Sequence, residues 1–449
     1  MGLIVLLMIE IIIFALLYIT SGYDLVSPAN FSIFTYIIAT IFAIIGSNIW
    51  GNKFSYTATL YMATGLIVMM MGQGLAELIC KKKLVNKYVT YKNQKELVRI
   101  DINKRKVYIL EILVVFLTAM YVLDILRVGR NLGTGGLAAI SAVRYTSNAG
   151  TSAVIRQGIK VIMAASFVDS FILVHNLLVD WKRRDLVHVI SLVCGCVCSL
   201  FTGVRTEILR MIFVIFVIAF LNLKEKKGWK RGVSSVIINK FLPIITAFAL
   251  IFTSMKTIVK ESSLPINGAF TTFEYIAYYI GSPIIVFGIK ELNGFTIYKR
   301  TLFGEITFNA FWENIAQMGL IPSKYASIAS TNVYISKSNL VTANVDTIFG
   351  GLMIDFGWLG MIIFVFFLYF FLSLFYYKKV KYVPILKNKF NCITYAFLFY
   401  MPGMAYYANV FGQFIATYFI ITYLIIYLIY MFYFNLSFRR GFNIIIHKM

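Results

Sequence analysis

The chain has 449 residues, of which 60% are hydrophobic and 14% are charged. Soluble domains carry about 25% charged residues, so this composition excludes a soluble globular protein and predicts a chain that folds in a lipid bilayer. The formal net charge of +23 fits nucleic-acid binding, anionic lipid or the basic cytoplasmic loops of a membrane protein. The position of the basic residues along the chain distinguishes these three.

Apolar runs of about 20 residues, the length that crosses a bilayer, recur along the whole chain. The first run lacks the basic flank and the small-residue cleavage site of a secretory signal, so we predict that it is a span. The fold class is therefore all-α and polytopic, with about eleven transmembrane helices in a single integral membrane domain, residues 1–449. The runs lie at about 2–20, 32–50, 57–79, 107–126, 157–179, 186–203, 207–223, 241–258, 347–377, 391–409 and 412–435.

Basic clusters separate these runs and indicate which span ends face the cytoplasm. All of them fall on one side if the chain starts outside, crosses eleven times and ends inside, as the positive-inside rule requires. This topology makes 80–106 a cytoplasmic loop and leaves no reason to expect a nucleic-acid partner. The clusters lie at 81–106, 182–184, 224–231, 378–389 and 439–440.

The apolar segment from Phe270 to Leu292 is not counted as a span. Counting it would invert the rest of the chain and put the basic cluster 378–389 outside, and Ser282-Pro283 is expected to interrupt its helix. We predict a re-entrant or interfacial helix within a large outer loop, about 259–345. A smaller outer loop covers about 127–156, and function is expected in these two loops.

Six arginines fall on the outer side, where short loops usually exclude basic charge. Arginine offers a permanently charged planar fork that binds phosphate oxygens in pairs, so an anionic group is expected nearby. Contact with lipid headgroups or ordinary solvation is the alternative. The six are Arg127, Arg130, Arg144, Arg156, Arg205 and Arg300.

The segment Gly203-Val204-Arg205-Thr206-Glu207-Ile208-Leu209-Arg210 joins two short spans by a tight turn. Arg205 is expected at the outer interface, and Arg210 about 7 Å deeper at about 1.5 Å per residue. Charge within a membrane is costly and so favours a functional role. Glu207 and Arg210 share a helix face, so a local ion pair is the alternative.

A second segment runs from Asn344 through Asp346 to Asp355-Phe356-Gly357. The apolar run that follows is longer than a bilayer span, so its first ten residues are expected in the outer interface or a wet cavity. We interpret Asp355 as functional. The glycines are interpreted as packing positions, namely Gly350, Gly351, Gly357 and Gly360.

Several nucleotide and metal motifs are absent from the sequence. There is no P-loop, dinucleotide fingerprint or His-Glu-x-x-His motif, which argues against ATP-driven transport. His175, His188 and His447 all lie toward the cytoplasmic side, so no histidine is expected for acid–base work outside. No metal and no cofactor are expected.

In their order along the chain, these segments resemble the oligosaccharide repeat-unit polymerases, the Wzy-type O-antigen and capsule polymerases. Related O-antigen ligases share the broad architecture but typically place a functional histidine outside. The motifs that carry the likeness are Asp24 with Ser27-Pro28, Gly203-Val204-Arg205-Thr206, Tyr279 to Pro283, and Asn344 through Asp355-Phe356-Gly357 with Gly360.

The resemblance implies a glycosyltransferase of GT-C-like architecture in a bacterial cytoplasmic membrane. The missing metal motifs predict that it is metal-independent, and the basic clusters predict the N terminus outside and the C terminus in the cytoplasm. The substrate would be an oligosaccharide linked to undecaprenyl pyrophosphate. Partners would be membrane lipids, a flippase and a chain-length regulator. Polymerisation would build O-antigen, capsule or exopolysaccharide.

The catalytic candidates are two arginines that neutralise the departing pyrophosphate, Arg205 and Arg210, and Asp355. Glu274, Asp346 and Asp355 stay open as the proton acceptor. Stacking of interface tyrosines on sugar is weighed against ordinary anchoring in the membrane interface. The substrate-binding candidates are Arg127, Arg130, Arg144, Arg156, Glu274, Tyr278, Tyr279, Arg300, Asn344 and Asp346.

Two other functions stay open. A polysaccharide flippase or transporter would also have many spans, but the two halves of this chain show no convincing internal repeat. An O-antigen ligase-like glycosyltransferase would share the outer architecture. Removing the protein distinguishes these alternatives, because each predicts a different place where the lipid-linked substrate accumulates.

Overall fold

The computed structural model describes residues 1–92, 97–136, 138–145, 150–202, 206–227, 229, 272–295, 301–326, 332–335, 341–438 and 444–446, with no side-chain description at 82–92, 141, 144–145, 272, 436–438 and 444–446. These ranges are mostly helical. Two short antiparallel hairpins pair β1 (Val333–Tyr334) with β2 (Thr342–Ala343), and β3 (Leu436–Phe438) with β4 (Ile444–Ile446).

The described part of the chain contains fifteen α-helices, which are numbered here in chain order. A 3₁₀ turn, Arg183–His188, leads into α7, and a π-helical turn, Tyr376–Val380, ends α11. The helices are α1 (Gly2–Thr20), α2 (Pro28–Trp50), α3 (Tyr56–Lys92), α4 (Lys104–Asn131), α5 (Ala138–Tyr145), α6 (Ala153–Val179), α7 (Val189–Thr202), α8 (Thr206–Lys227), α9 (Thr272–Leu292), α10 (Asn309–Gln317), α11 (Ile348–Phe375), α12 (Lys389–Leu398), α13 (Tyr400–Met404), α14 (Phe411–Phe414) and α15 (Thr417–Phe434).

Within the described residues, nine helices are long and apolar enough to cross a membrane. They are α1, α2, α3, α4, α6, α7 with its 3₁₀ turn, α8, α11 with its π turn, and α15, and each coincides with a predicted span. The all-α polytopic membrane fold is confirmed at this level. The predicted span 241–258 lies outside the described residues.

The predicted span 391–409 is not one long helix. α12 and α13 together end at Met404, and a turn follows. Proline lacks an N–H, so Pro402 cannot donate to the carbonyl of Leu398, and the helix is interrupted there between α12 and α13. The carbonyls near this end are satisfied from other elements, because Ser32 Oγ donates to Pro402 O at 2.9 Å and Tyr36 Oη to Ala405 O at 2.9 Å.

α9 corrects the prediction that Ser282-Pro283 interrupts a helix. It is continuous over 21 residues with Pro283 inside. Gly281 lets α9 approach α2 so closely that a Cβ there would lie 2.6 Å from Ala43 N. The buried run from Ile284 to Phe287 stabilises the helix through packing, and this offsets the hydrogen bond that the proline cannot make.

The helix ends that the sequence assigns to the cytoplasm meet on one face, here called the basic face. Lys381 Nζ lies 3.3 Å from Asp24 Oδ2, and Lys224 Nζ donates to Tyr23 O at 3.2 Å. Arg99 bridges two loops through Asp185 at 2.5 Å. Burial lowers the pKa of Lys381, but Asp24, Tyr382 and Glu77 together outweigh burial and raise that pKa.

The other helix ends meet on the opposite face. Ser55 Oγ, between α2 and α3, donates to Glu291 at the end of α9 at 2.5 Å. The first N–H of α11, from Ile348, donates to Ala405 O at 2.8 Å. These contacts place the ends of α2, α3 and α9 near one another and tie the start of α11 to residue 405, and the number of crossings and their orientation stay predictions.

Candidate functional site

Arg210 lies one turn into α8, on the half of the helix nearer the opposite face, and its side chain is only 2% exposed. Its guanidinium donates to both carboxylate oxygens of Glu207, at 2.8 and 2.7 Å. The same group lies over the rings of Tyr400 and Phe419, 4.4 and 4.2 Å from their centroids. The ion pair that the sequence left as an alternative is therefore formed, inside an aromatic enclosure.

Arg210 still has hydrogen-bonding capacity. Its Nε is buried and has no hydrogen-bond partner among the described residues. A buried donor without a partner costs free energy, so such an atom often marks a place where a ligand or water completes the site. Arg205, the other predicted catalytic arginine, lies outside the described residues.

Lys160 is a second buried cation in this region, and sequence reasoning missed it. It lies in α6, donates to Gln157 Oε1 at 2.5 Å and lies over the Tyr418 ring at 5.6 Å. Tyr418 is next to Phe419, which covers Arg210. A lysine inside a predicted span was the available signal, because intramembrane charge is costly.

The arginines at the ends of α4 and α6 face solvent. Arg127 is 61% exposed, and it donates to Asp124 Oδ1 at 2.6 Å, while Asp124 Oδ2 accepts the Ser152 N–H at 2.8 Å. Arg130 and Arg156 are also exposed. Arg144 lies in α5 with no side-chain description, and Arg300 is outside the described residues.

Asp355 is half-buried in α11 and holds a neighbouring turn. Its Oδ2 accepts the backbone N–H of Thr307 at 2.6 Å and that of Ile306 at 3.1 Å. The turn 301–308 is thereby fixed against α11. This contact gives Asp355 a structural role in addition to any part in chemistry.

The glycines next to Asp355 do not share one explanation. A Cβ on Gly350 or Gly360 would collide with the side chain one turn earlier, and one on Gly351 would lie 3.2 Å from Ile306. Gly357 has φ 67° and ψ −172° inside α11, and no described atom lies within 4 Å of its added Cβ. The packing prediction is wrong for Gly357, where backbone conformation requires glycine.

The predicted residues of the large outer loop form a separate group around α9. Asp346 is paired with Lys290 at 2.8 Å, and Tyr278 donates to the Thr342 carbonyl at 2.6 Å. Tyr279 contacts Tyr275 and Tyr278 through edge-on rings. Glu274 is half-buried in the first turn of α9, and Asn344 is exposed. The tyrosines are therefore largely occupied by packing.

Residues 400–419, here called the bridging segment, lie between Arg210 and Asp355. Tyr400 and Phe419 cover Arg210, while Gly412 lies so close to Thr307 that a Cβ would be 2.4 Å from its carbonyl oxygen. Thr307 Oγ1 and Asn409 Nδ2 are buried without hydrogen-bond partners among the described residues. Buried polar atoms without hydrogen-bond partners among the described residues thus occur at Arg210, at Thr307 and within the bridging segment itself.

An apolar groove of about 680 Å³ begins beside Asp355 and runs along α11. Its α11 wall extends from Phe356 to Phe375, about 28 Å at about 1.5 Å per residue. Phe303 and Phe308 line one end, and Met401, next to Tyr400, belongs to the opposite wall. A groove of this size accommodates an extended apolar chain. Two of its lining residues adjoin the polar residues in sequence, because Phe356 follows Asp355 and Met401 follows Tyr400, which covers Arg210.

No protein-family model, no curated protein and no solved structure matches the chain. The likeness to repeat-unit polymerases and the GT-C-like architecture that it implies stay predictions.

Proposed function

We propose that this protein is an oligosaccharide repeat-unit polymerase, a glycosyltransferase acting on undecaprenyl-pyrophosphate-linked units at the outer face of a bacterial cytoplasmic membrane. The observation that carries the proposal is the apolar groove along α11, whose lining residues Phe356 and Met401 are next in sequence to Asp355 and to Tyr400, the ring that covers Arg210. A polyprenyl tail needs a long apolar groove open to lipid, and its pyrophosphate needs cations at the membrane interface. The product is O-antigen, capsule or exopolysaccharide.

In this reaction a hydroxyl of the incoming unit attacks the anomeric carbon of the growing glycan. A new glycosidic C–O bond forms, the bond from that carbon to the phosphate oxygen breaks, and the oxygen leaves with the electron pair. The arginine side chains at the start of α8 stabilise this leaving charge, and a well-placed donor contributes about 3 kcal/mol. Arg210 is held for that task by Glu207.

The hydroxyl proton goes to a carboxylate. Of the three candidates, Asp346 is already neutralised by Lys290, and Glu274 belongs to the group around α9. Asp355 is next to Phe356, a residue that lines the groove. We assign proton acceptance or acceptor positioning to Asp355, whose Oδ1 has only a long contact to Ile306 N at 3.4 Å.

Photo-crosslinking tests the tail site directly. A benzophenone amino acid replaces Phe367 in the groove or, as the control, Leu428, which faces lipid on α15 and does not line the groove. With radiolabelled lipid-linked repeat units in the membrane, we expect crosslinks from position 367 and only background from 428. Equal labelling at both positions would mean bulk lipid contact and would remove the groove as support.

Deletion in the native host tests the reaction. Loss of a polymerase leaves single repeat units that already face outward on their carrier, because transport across the membrane precedes polymerisation. Loss of a flippase traps units facing inward, and loss of a ligase leaves long chains on the carrier. We expect outward single units and no polymer, and either other result would replace the proposed function.

A further inference from the structure

Three ionisable side chains meet inside the protein on the half nearer the basic face, away from the groove. Glu111 lies in α4, Asp169 in α6, and His188 ends the 3₁₀ turn before α7. They are 3%, 0% and 5% exposed. One ligand-type atom from each lies within 4.8 Å of the other two.

The contacts leave one oxygen of each carboxylate free of hydrogen bonds. His188 Nδ1 lies 2.6 Å from Asp169 Oδ1, and Ser191 Oγ donates to Glu111 Oε2 at 2.8 Å. Tyr433 Oη donates to Asp169 Oδ1 at 3.2 Å. Glu111 Oε1 and Asp169 Oδ2 are buried and have no partner among the described residues.

The geometry of the cluster points to a cation. No described lysine or arginine lies within 4.0 Å of either carboxylate, and each carboxylate keeps one buried oxygen without a partner among the described residues. Buried carboxylates without compensation are strongly unfavourable. A divalent cation would neutralise both and would take the two free oxygens as ligands.

We propose that Glu111, Asp169 and His188 bind one divalent transition-metal ion of the Zn²⁺ or Mn²⁺ class. Carboxylate oxygens combined with an imidazole nitrogen suit these ions, whereas Mg²⁺ and Ca²⁺ prefer oxygen ligands alone. The ion joins α4, α6 and the start of α7, and Ser191 and Tyr433 orient its carboxylate ligands. The site is independent of the proposed glycosyl transfer, and it revises the expectation from sequence that no metal binds.

An entry path is present on the basic face. A polar pocket of about 90 Å³ lies between the loop at 99–104 and the turn at 184–188, and His188 is part of its lining. This volume exceeds the roughly 10–15 Å³ that one water centre needs, so hydrated ions can approach the imidazole. Arg99 and Arg184 in its wall are paired with Asp101, which limits repulsion of a cation.

The test measures metal content of protein purified in detergent without a histidine tag. Chelator-treated protein is equilibrated with Zn²⁺ or Mn²⁺, desalted, and analysed by mass spectrometry of the metal and by thermal unfolding. We expect about one retained ion per chain and a higher Tm with metal than without. Glu111→Gln and Asp169→Asn should abolish retention, and Ser191→Ala should weaken affinity by about tenfold.

Glu10→Gln is the matched control. Glu10 is also a fully buried membrane carboxylate with one unpartnered oxygen, but its hydrogen-bond partner is Thr40. This variant should retain the ion. Retention unchanged by Asp169→Asn would show adventitious surface binding, and no retention by wild type would show that the two carboxylates share a proton instead; either result overturns the proposal.

Wild-type protein alone keeps the proposal testable if the variants do not fold. Co²⁺ substituted for the ion should give visible absorption bands typical of mixed nitrogen and oxygen ligation, and Zn²⁺ should compete for them. A Co²⁺ spectrum identical to that of the hydrated ion would overturn the site.

Discussion

Arg210 carries a permanent charge about one helical turn below the start of α8. The cost of burying it is offset by Glu207 and by the two rings that cover the guanidinium. The depth of Arg210 in the membrane was predictable, because it follows from counting residues along the helix. The rings that cover Arg210 were not predictable, since Tyr400 and Phe419 are about 200 residues away in sequence.

Arg210→Gln should abolish long polymer, and it should also destabilise the protein. Removing one partner of a buried ion pair costs about 3–5 kcal/mol because the other charge is left unpaired. Arg210→Gln combined with Glu207→Gln removes both charges, so the double variant should recover much of the Tm without recovering polymer. Glycan ladders on gels and thermal unfolding measure the two effects separately. Full-length polymer from the double variant would show that the pair is only structural.

Asp355→Asn tests the carboxylate beside the groove. The amide oxygen of asparagine can accept both N–H donors of the turn 301–308 but lacks the charge that strengthens these hydrogen bonds, so we expect a loss of stability of about 1 kcal/mol and much shorter glycan. Glu305→Gln is the control, because Glu305 holds the same turn through Thr301 and Leu302. If both variants shorten glycan equally, turn geometry explains the effect and Asp355 has no chemical role.

Not all buried charges were found from sequence. Charges on the outer side were weighed as candidates, whereas Lys160, Glu111 and Asp169 lie within predicted spans and were passed over. These residues form no sequence motif. Glu111 and Asp169 lie on different helices, and Lys160 contacts a ring on another helix, α15. Their cost inside a membrane was the signal that linear reasoning had available.

At the scale of helices, hydropathy predicted which apolar segments are long enough to cross the membrane, but not where each helix ends. The helix is broken between α12 and α13, four residues before Pro402, whereas Pro283 is accommodated inside α9, although both prolines lack the same N–H. The difference lies in tertiary contacts. Ser32 and Tyr36 of α2 donate hydrogen bonds to the carbonyls of Pro402 and Ala405 at the end of α13, and close packing on α2 stabilises α9 across its proline.

Gly357→Ala should destabilise the protein by about 1–3 kcal/mol, because its backbone conformation is one that only glycine adopts readily. The substitution should also shift Asp355 and the start of the groove, so shorter glycan is expected with the lower Tm. Gly74→Ala is the control: Gly74 is helical, and no described atom lies within 4 Å of an added Cβ. That variant should be neutral or more stable by about 0.5–1 kcal/mol. An unchanged Tm for Gly357→Ala would contradict the strained kink.

At the scale of the whole molecule, the arrangement of helix ends follows from charge. Basic clusters predicted which ends share a face, and the contacts of Asp24, Lys224 and Lys381 confirm that these ends meet. The sequence did not predict which helices pack against one another, because hydropathy does not distinguish one apolar helix surface from another. What stays a prediction is which face lies in the cytoplasm.

Cysteine labelling in intact cells decides that orientation. Lys182→Cys on the basic face should resist an impermeant thiol reagent and react after permeabilisation, whereas Leu320→Cys on the opposite face should react in both states. Wild-type protein sets the background, since Cys80, Cys194, Cys198 and Cys392 are buried and Cys196 is half-buried. The expected pattern follows from the positive-inside rule. The reverse pattern would turn Arg210, Asp355 and the end of the groove toward the cytoplasm, where flipped repeat units are absent, and the polymerase proposal would fail with it.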